Sequence, residues 1–357
     1  VFVSGKYAYV ANYTSNTISV VDVSNPLFPI QIATTSVGSG PYSIYVSGKY
    51  AYVANNGSDS ISVVDVSNPF VPIQIATTSV GSVPYSIYVS GKYAYVANSG
   101  GTNSVSVVDI SNPSAPTQIA TLALGTINPQ SIFVSGRYAY VVNNGSDSIT
   151  VVDISNPSTP IQLGSATVGD GPVSIYVSGR YAYVANHTTP SSISVVDISN
   201  PSTPVQIATT SVGTWPYSIF VSGRYAYTAN YGSDNISVVD VSSSTAPVRI
   251  TNVSVGTGPS SVYVSGRYAY TANYNGGNGS TISVVDISGT EVTSLIAHSA
   301  EVGNIQSRND VFAQGNIMAG TSLMVGAGGI MSQGSLSVFA SSTGSTSSIF
   351  GIDSTQA

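Results

Sequence analysis

The residues of this chain that could do chemistry divide by how often they recur. Seven aspartates, Asp22, Asp65, Asp109, Asp153, Asp197, Asp240 and Asp286, each close a Val-Val-Asp run, and seven cations, Lys6, Lys49, Lys92, Arg137, Arg180, Arg224 and Arg267, recur in step with them. A catalytic centre needs asymmetry: a base, nucleophile or metal cluster that one place has and its copies lack. Seven equivalent carboxylates therefore read as turn caps and local ion pairs, worth about 0 to 1 kcal/mol each at a surface. A ring of charge around a channel mouth is the sharper alternative. The singular candidates are few: His187, His298, Glu291 and Glu301. No two-histidine metal spacing exists, and with no cysteine there is no thiolate ligand, nucleophile or disulfide. No catalytic set, metal site or cofactor is expected. Asp59, Asp147 and Asp234 recur as Gly-Ser-Asp and read as solvated turn residues rather than calcium ligands.

The elements that must position these residues repeat. Gly5, Gly48, Gly91, Gly136, Gly179, Gly223 and Gly266 each precede Lys or Arg and then Tyr-Ala-Tyr, at spacings of 43, 43, 45, 43, 44 and 43. A period near 43 is that of a β-propeller blade. Within the second unit four segments read as antiparallel strands, Ser43 to Val46, Tyr50 to Asn55, Ser60 to Val66 and Ile73 to Val80, each rich in Val, Ile, Tyr or Thr and bounded by turn residues. Ser47-Gly48-Lys49 is a tight reversal, Asn56-Gly57 and Asn144-Gly145 are two-residue hairpin signals, and Pro72 enters an outermost strand that needs no N–H there. The expected fold is an all-β seven-bladed propeller of four-stranded antiparallel blades over residues 1–298. A short Gly/Ser-rich β or linker segment follows over 299–357. Alternation along Tyr50-Ala51-Tyr52-Val53 sends the tyrosines to one side of the blade and the small residues to the other, so each tyrosine side can fill its neighbour's Ala/Val side.

Val46-Ser47-Gly48-Lys49-Tyr50-Ala51-Tyr52-Val53-Ala54-Asn55, followed by Ile61-Ser62-Val63-Val64-Asp65-Val66-Ser67-Asn68-Pro69, resembles the LVIVD repeat and is similar to the YVTN repeat of prokaryotic surface-layer propellers. The likeness recurs in all seven units and weakens at the end, where Ser242-Ser243-Ser244 and Ser288-Gly289 replace Ser-Asn-Pro. It implies a propeller on bacterial or archaeal surface proteins. Propeller enzymes such as lactonases share the architecture but gather His, Glu, Asp or Arg around the channel.

Composition bounds the partners. Charged residues make up 7% of the 357, against about 25% in an ordinary soluble protein, with Ser, Thr, Asn and Gly in their place, which suits a secreted or surface-attached protein. A net charge of -6 lacks the basic footprint of a nucleic-acid binder. No apolar run is long enough for a membrane-spanning helix, and the absence of an initiator Met at a start inside a repeat suggests a fragment.

The units differ mainly in the loop after the second strand and in the loop between units, which a propeller places on one face. Aromatics collect there: Tyr13, Tyr231 and Tyr274 in the first set, with Tyr42, Tyr85, Trp215 and Tyr217 in the second, beside His187. They are candidate contacts to a protein or glycan, or else they pack locally over the channel mouth. The sequence thus suggests a non-catalytic interaction or adhesion module outside the cell. The alternatives are a secreted lactonase-like hydrolase and a structural spacer of a surface layer or fibre. The tail resembles β-rich stems of phage and bacterial fibres and is a candidate for oligomerisation.

Overall fold

Each unit folds as one sheet whose strands follow chain order outward from the centre. In blade two these are Pro41–Ser47, Tyr50–Asn55, Ser60–Asp65 and Ile73–Ser79, all neighbours antiparallel. The computed structural model describes residues 1–125, 127–274 and 280–287, which form six such four-stranded sheets and a seventh with three strands. The expectations placed on His298, Glu291, Glu301 and the stalk or linker of residues 299–357 lie outside the described residues.

The tyrosine argument holds in the packing. Tyr52, Ala54, Ile61 and Val63 of blade two pack against Val89, Ala94, Val96 and Val108 of blade three, bulky against small. The same join recurs around the molecule, and Tyr270 of blade seven packs against Val3, Ala8 and Val21 of blade one. The ring therefore closes; it is not an open superhelix. Along the inner strands a serine stitches each blade to the next: Ser43 Oγ accepts the Ile87 N–H at 3.3 Å, Ser86 that of Ile132 at 3.2 Å and Ser174 that of Ile219 at 3.1 Å. Across the closing join the Val1 nitrogen donates to Ser261 Oγ at 2.9 Å.

A second tie is buried. The asparagine that ends the second strand is fully enclosed in blades two to six, as Asn55, Asn98, Asn143, Asn186 and Asn230. Asn98 Nδ2 donates to Ser104 Oγ at 3.2 Å and Ser106 Oγ at 2.9 Å, while Ser106 Oγ also accepts the Gly81 N–H from the loop entering the blade. Gly81 must be glycine for room, since a Cβ there would lie 2.7 Å from Asn98 Nδ2. A buried amide is costly unless bonded; here Nδ2 ties two strands and Ser106 carries the tie on to the loop, while Oδ1 is buried without a partner among the described residues.

The tight turns are uniform. Gly48 takes φ +58°, as the reversal requires, and Val66 N–H returns to the Lys49 carbonyl at 2.8 Å. Asp65 Oδ1 caps the Ser67 N–H at 2.9 Å. Arg137 and Arg180 bridge Asp153 and Asp197 at 2.9 and 2.6 Å, and Arg224 and Arg267 pair in the same way with Asp240 and Asp286. Among the described residues, Asp22, Asp65, Asp109, Asp153, Asp197 and Asp240 each cap the N–H two residues on, and Asp153, Asp197, Asp240 and Asp286 pair with arginine, so the recurring carboxylates serve their own turns.

Three local expectations need correction. The inner strand starts at Pro41, not Ser43, because a register shift between Pro41 and Ser43 lets it run two residues further. The outer turns at Asn56-Gly57 and Asn144-Gly145 are not two-residue hairpins: four residues separate Asn55 from Ser60, and the left-handed residue is the last, Asp59 at φ +49° and Asp147 at +46°. Nor are Asp59, Asp147 and Asp234 merely solvated. Their Oδ1 atoms accept the N–H groups of Val83, Gly171 and Gly258 at 2.7 to 2.8 Å, bracing the loop into the following blade.

Candidate functional site

The loops after the second strands and the loops between blades interlock at one end of the ring. His187 N–H bonds the Gly171 carbonyl, Tyr231 N–H that of Trp215 and Tyr274 N–H that of Gly258, each at 2.8 Å. This pairing brings three repeat positions to the mouth, one of them in all seven blades and the other two from blade two onward. The residue after the buried asparagine is Tyr13, Asn56, Ser99, Asn144, His187, Tyr231 and Tyr274 in blades one to seven. From blade two onward the residue before the inner-strand proline is Gly40, Val83, Asn128, Gly171, Trp215 and Gly258, and the residue after it is Tyr42, Tyr85, Gln130, Val173, Tyr217 and Ser260. All eight residues expected from the sequence occupy these positions.

The structure gathers seven of the eight into two strings of rings. Tyr13 meets Tyr42 edge-on at 6.3 Å, and Tyr42 meets Tyr85 at 4.7 Å. Across blades five and six, His187 stacks on Trp215 at 5.8 Å and meets Tyr217 at 4.9 Å, and Tyr217 meets Tyr231 at 5.1 Å. Tyr274 stands at the rim outside both strings, with no ring contact among the described residues. Burial, then the phenols of Tyr85, Tyr217 and Tyr13, push the Tyr42 phenol up to about 12. Packing and exposure coexist: Tyr42 is 46% and Trp215 48% exposed.

Trp215 carries backbone strain. The residue before the inner-strand proline has positive φ in six blades; three use glycine, while Trp215 takes +55° and Val83 takes +55°. A bulky side chain in that region costs about 1 to 2 kcal/mol. It is held by Ser191 Oγ, which accepts the Trp215 N–H at 3.1 Å, and by the stack on His187. Burial lowers the His187 pKa below its ordinary value, so the imidazole is neutral at pH 7, and its Nε2 is buried without a hydrogen-bond partner among the described residues.

Sequence reasoning missed two parts of this site. The first is a polar sector at blades three and four, where Gln130 Nε2 donates to Asn128 Oδ1 at 3.1 Å and to Ser99 Oγ at 3.4 Å, and Ser99 also bonds Asn128. The signal was available, since these amides occupy the same three variable positions as the aromatics. The second lies deeper in the bore. One aromatic from each inner strand, Phe2, Tyr45, Tyr88, Phe133, Tyr176, Phe220 and Tyr263, forms an unbroken circle with neighbouring centroids 4.7 to 4.8 Å apart. Their planes turn by 49 to 53° from one to the next, the step of about 51° that a sevenfold rotation gives to rings standing parallel to its axis. Burial, and then the phenols of Tyr45 and Tyr176, push Tyr263 up to about 12. The girdle lines the wall of the bore below the mouth. Its sequence signal is the aromatic before Val-Ser-Gly in every unit, whose partners become visible only when the ring closes.

A family model of the LVIVD repeat matches residues 1–34, 42–77, 84–122, 128–168, 172–210, 217–255 and 259–295, one match per blade. The chain belongs to the LVIVD-repeat family. No curated protein matches it in sequence. Among solved structures, this LVIVD-repeat chain is similar to a functionally unknown protein from Desulfotomaculum acetoxidans, at 13% identity and TM-score 0.67, covering 80% of this chain and 96% of that one. It is also similar to a protein from Lactobacillus plantarum (18%, 0.69, 82% and 94%) and to the periplasmic gluconolactonase of Pseudomonas aeruginosa (18%, 0.64, 75% and 88%). At these identities the likeness is one of fold.

Proposed function

We propose that this chain is a non-catalytic binding module, displayed outside the cell, whose mouth takes a neutral, hydroxyl-rich ligand such as a glycan. The observation that supports this is the distribution of variation. Three repeat positions that converge on one mouth carry two strings of aromatic rings with an amide sector between them, above an aromatic girdle. A sugar presents apolar C–H faces, which stack on Trp215 and Tyr42, and hydroxyls, which bond Asn128 and Gln130. The rings are pre-packed, so little rotamer freedom is lost on binding. A composition poor in charge and rich in hydroxyls and amides supports an extracellular setting.

The test is a glycan and protein array probed with the full chain and with its Trp215→Gly variant. Neutral oligosaccharide hits that weaken at least about tenfold in the variant are expected. Binding to nothing, or hits indifferent to Trp215, would overturn the reading. The gluconolactonase among the similar folds motivates a second reading, hydrolysis at the same mouth with His187 as its titratable group. Turnover of gluconolactone that is abolished by His187→Gln would establish it.

A further inference from the structure

Among the described residues, the face opposite the mouth varies most in what its outer turns present. The turn between third and fourth strands is built alike in blades one, two, four and five. The Asn side chain accepts the N–H two residues on, at 3.1 to 3.2 Å, and its carbonyl accepts the N–H three residues on, at 3.0 to 3.1 Å. The backbone therefore does not dictate the two residues the turn presents. Blades four and five present Ser158-Thr159 and Ser202-Thr203, whereas blades one and two present Leu27-Phe28 and Phe70-Val71. Leu27 is 83% and Phe28 70% exposed, and Phe70, Val71, Ile30 and Ile73 are each more than half exposed. Together these six side chains expose on the order of 800 Å², above the few hundred Å² common on monomers. The turns are also close to their neighbours: the outer strand of one blade runs beside the turn of the next, as Gly164 does beside Pro201 and Ser202.

We infer that two copies of this chain associate through this rim about a twofold axis, the blade-one turn of each copy lying on the blade-two turn of the other. Three observations identify the occupant as a second copy. The exposed area is of the same order as one partner's share of a standard interface, about 800 Å². A twofold contact requires two surfaces that are mutually complementary on the same molecule, and adjacent near-identical apolar turns supply them. Each blade's rim carries one cation and one aspartate, so this face is electrically balanced although the chain is at -6. Lys6 and Lys49 hold no salt bridge among the described residues, unlike the four arginines, and can reach the other copy's aspartates.

Sedimentation of the full chain across about 1 to 100 µM tests this against a variant combining Leu27→Ser, Phe28→Thr, Phe70→Ser and Val71→Thr, which gives blades one and two the turns of blades four and five. The native chain is expected to pass from monomer to dimer, and the variant to weaken dimerisation at least about a hundredfold. A native chain that stays monomeric, or a variant that dimerises equally, would overturn the inference. So would native-only flotation with phosphatidylcholine vesicles in the absence of dimer, which would make the occupant a lipid surface. Should the fourfold variant misfold, cross-linking decides. The chain has no cysteine, so Leu27→Cys mixed with Val71→Cys should yield a disulfide-linked heterodimer on oxidation with diamide, and its failure to form would equally overturn the inference.

Discussion

The joins between blades and the mouth are built from the same repeats but obey opposite rules. At a join, such as that of blades two and three, the contact positions hold nearly the same residues in every copy: tyrosine against alanine and valine or threonine, serine on a backbone N–H, and asparagine on two hydroxyls in six blades and on Asn235 and one hydroxyl in blade six. At the mouth, three positions of the same units hold Tyr, Trp, His, Asn, Gln, Ser, Val or Gly. Repetition is what ring closure needs, because each blade must fit both neighbours. Departure from repetition is what recognition needs, because a sevenfold site cannot orient an asymmetric ligand. Substitutions at the joins should therefore cost stability, and substitutions at the mouth should cost binding.

The largest expected effect is at a join. Tyr95 is 3% exposed, and Tyr95→Ala should lower unfolding free energy by about 3 to 5 kcal/mol in urea titrations. A loss below 1 kcal/mol would break the comparison. Next is Asn98→Ala, which removes the buried amide's bonds to the Ser104 and Ser106 hydroxyls, for about 1 to 3 kcal/mol by the same measurement. Trp215→Gly is expected to change stability by less than about 1 kcal/mol, since relief of positive φ offsets the lost stack on His187. A large loss there would place Trp215 with the joins.

The smallest effect is electrostatic. The Arg180 hydrogen bond, followed by those from Ser199, holds the Asp197 carboxyl at about 2, below its ordinary 3.8. A carboxyl depressed on folding stabilises above its unfolded pKa and loses that stabilisation as pH falls through the folded one. Midpoints in urea should thus decline between about pH 4 and 2, and less steeply in Asp197→Asn. An identical slope in the variant would remove the ion pair from the account.

The sequence carried the fold further than the site. Tyr50-Ala51-Tyr52 sufficed to assign the two sides of a blade, because alternation along a strand is local. The left-handed Asp59 was not legible, since its carboxylate is fixed by Val83, 24 residues on in the following blade. Asn98 recurred in plain view, but its partners Ser104 and Ser106 arrive from another strand, and the Gly81 N–H that shares Ser106 arrives from another loop. The eight mouth residues were legible as departures from the repeat. Their division into two ring strings, an amide sector and an aromatic girdle depends on radial position, which exists only once the circle closes.

Trp215 is the only tryptophan in the chain, so its fluorescence reports on the mouth alone. The direct measurement is its emission during titration with an oligosaccharide identified on the array, with binding followed in parallel by calorimetry. Recognition at the aromatic mouth requires emission to shift and saturate with the calorimetric isotherm. Heat of binding with unchanged Trp215 emission would place the ligand elsewhere and contradict it.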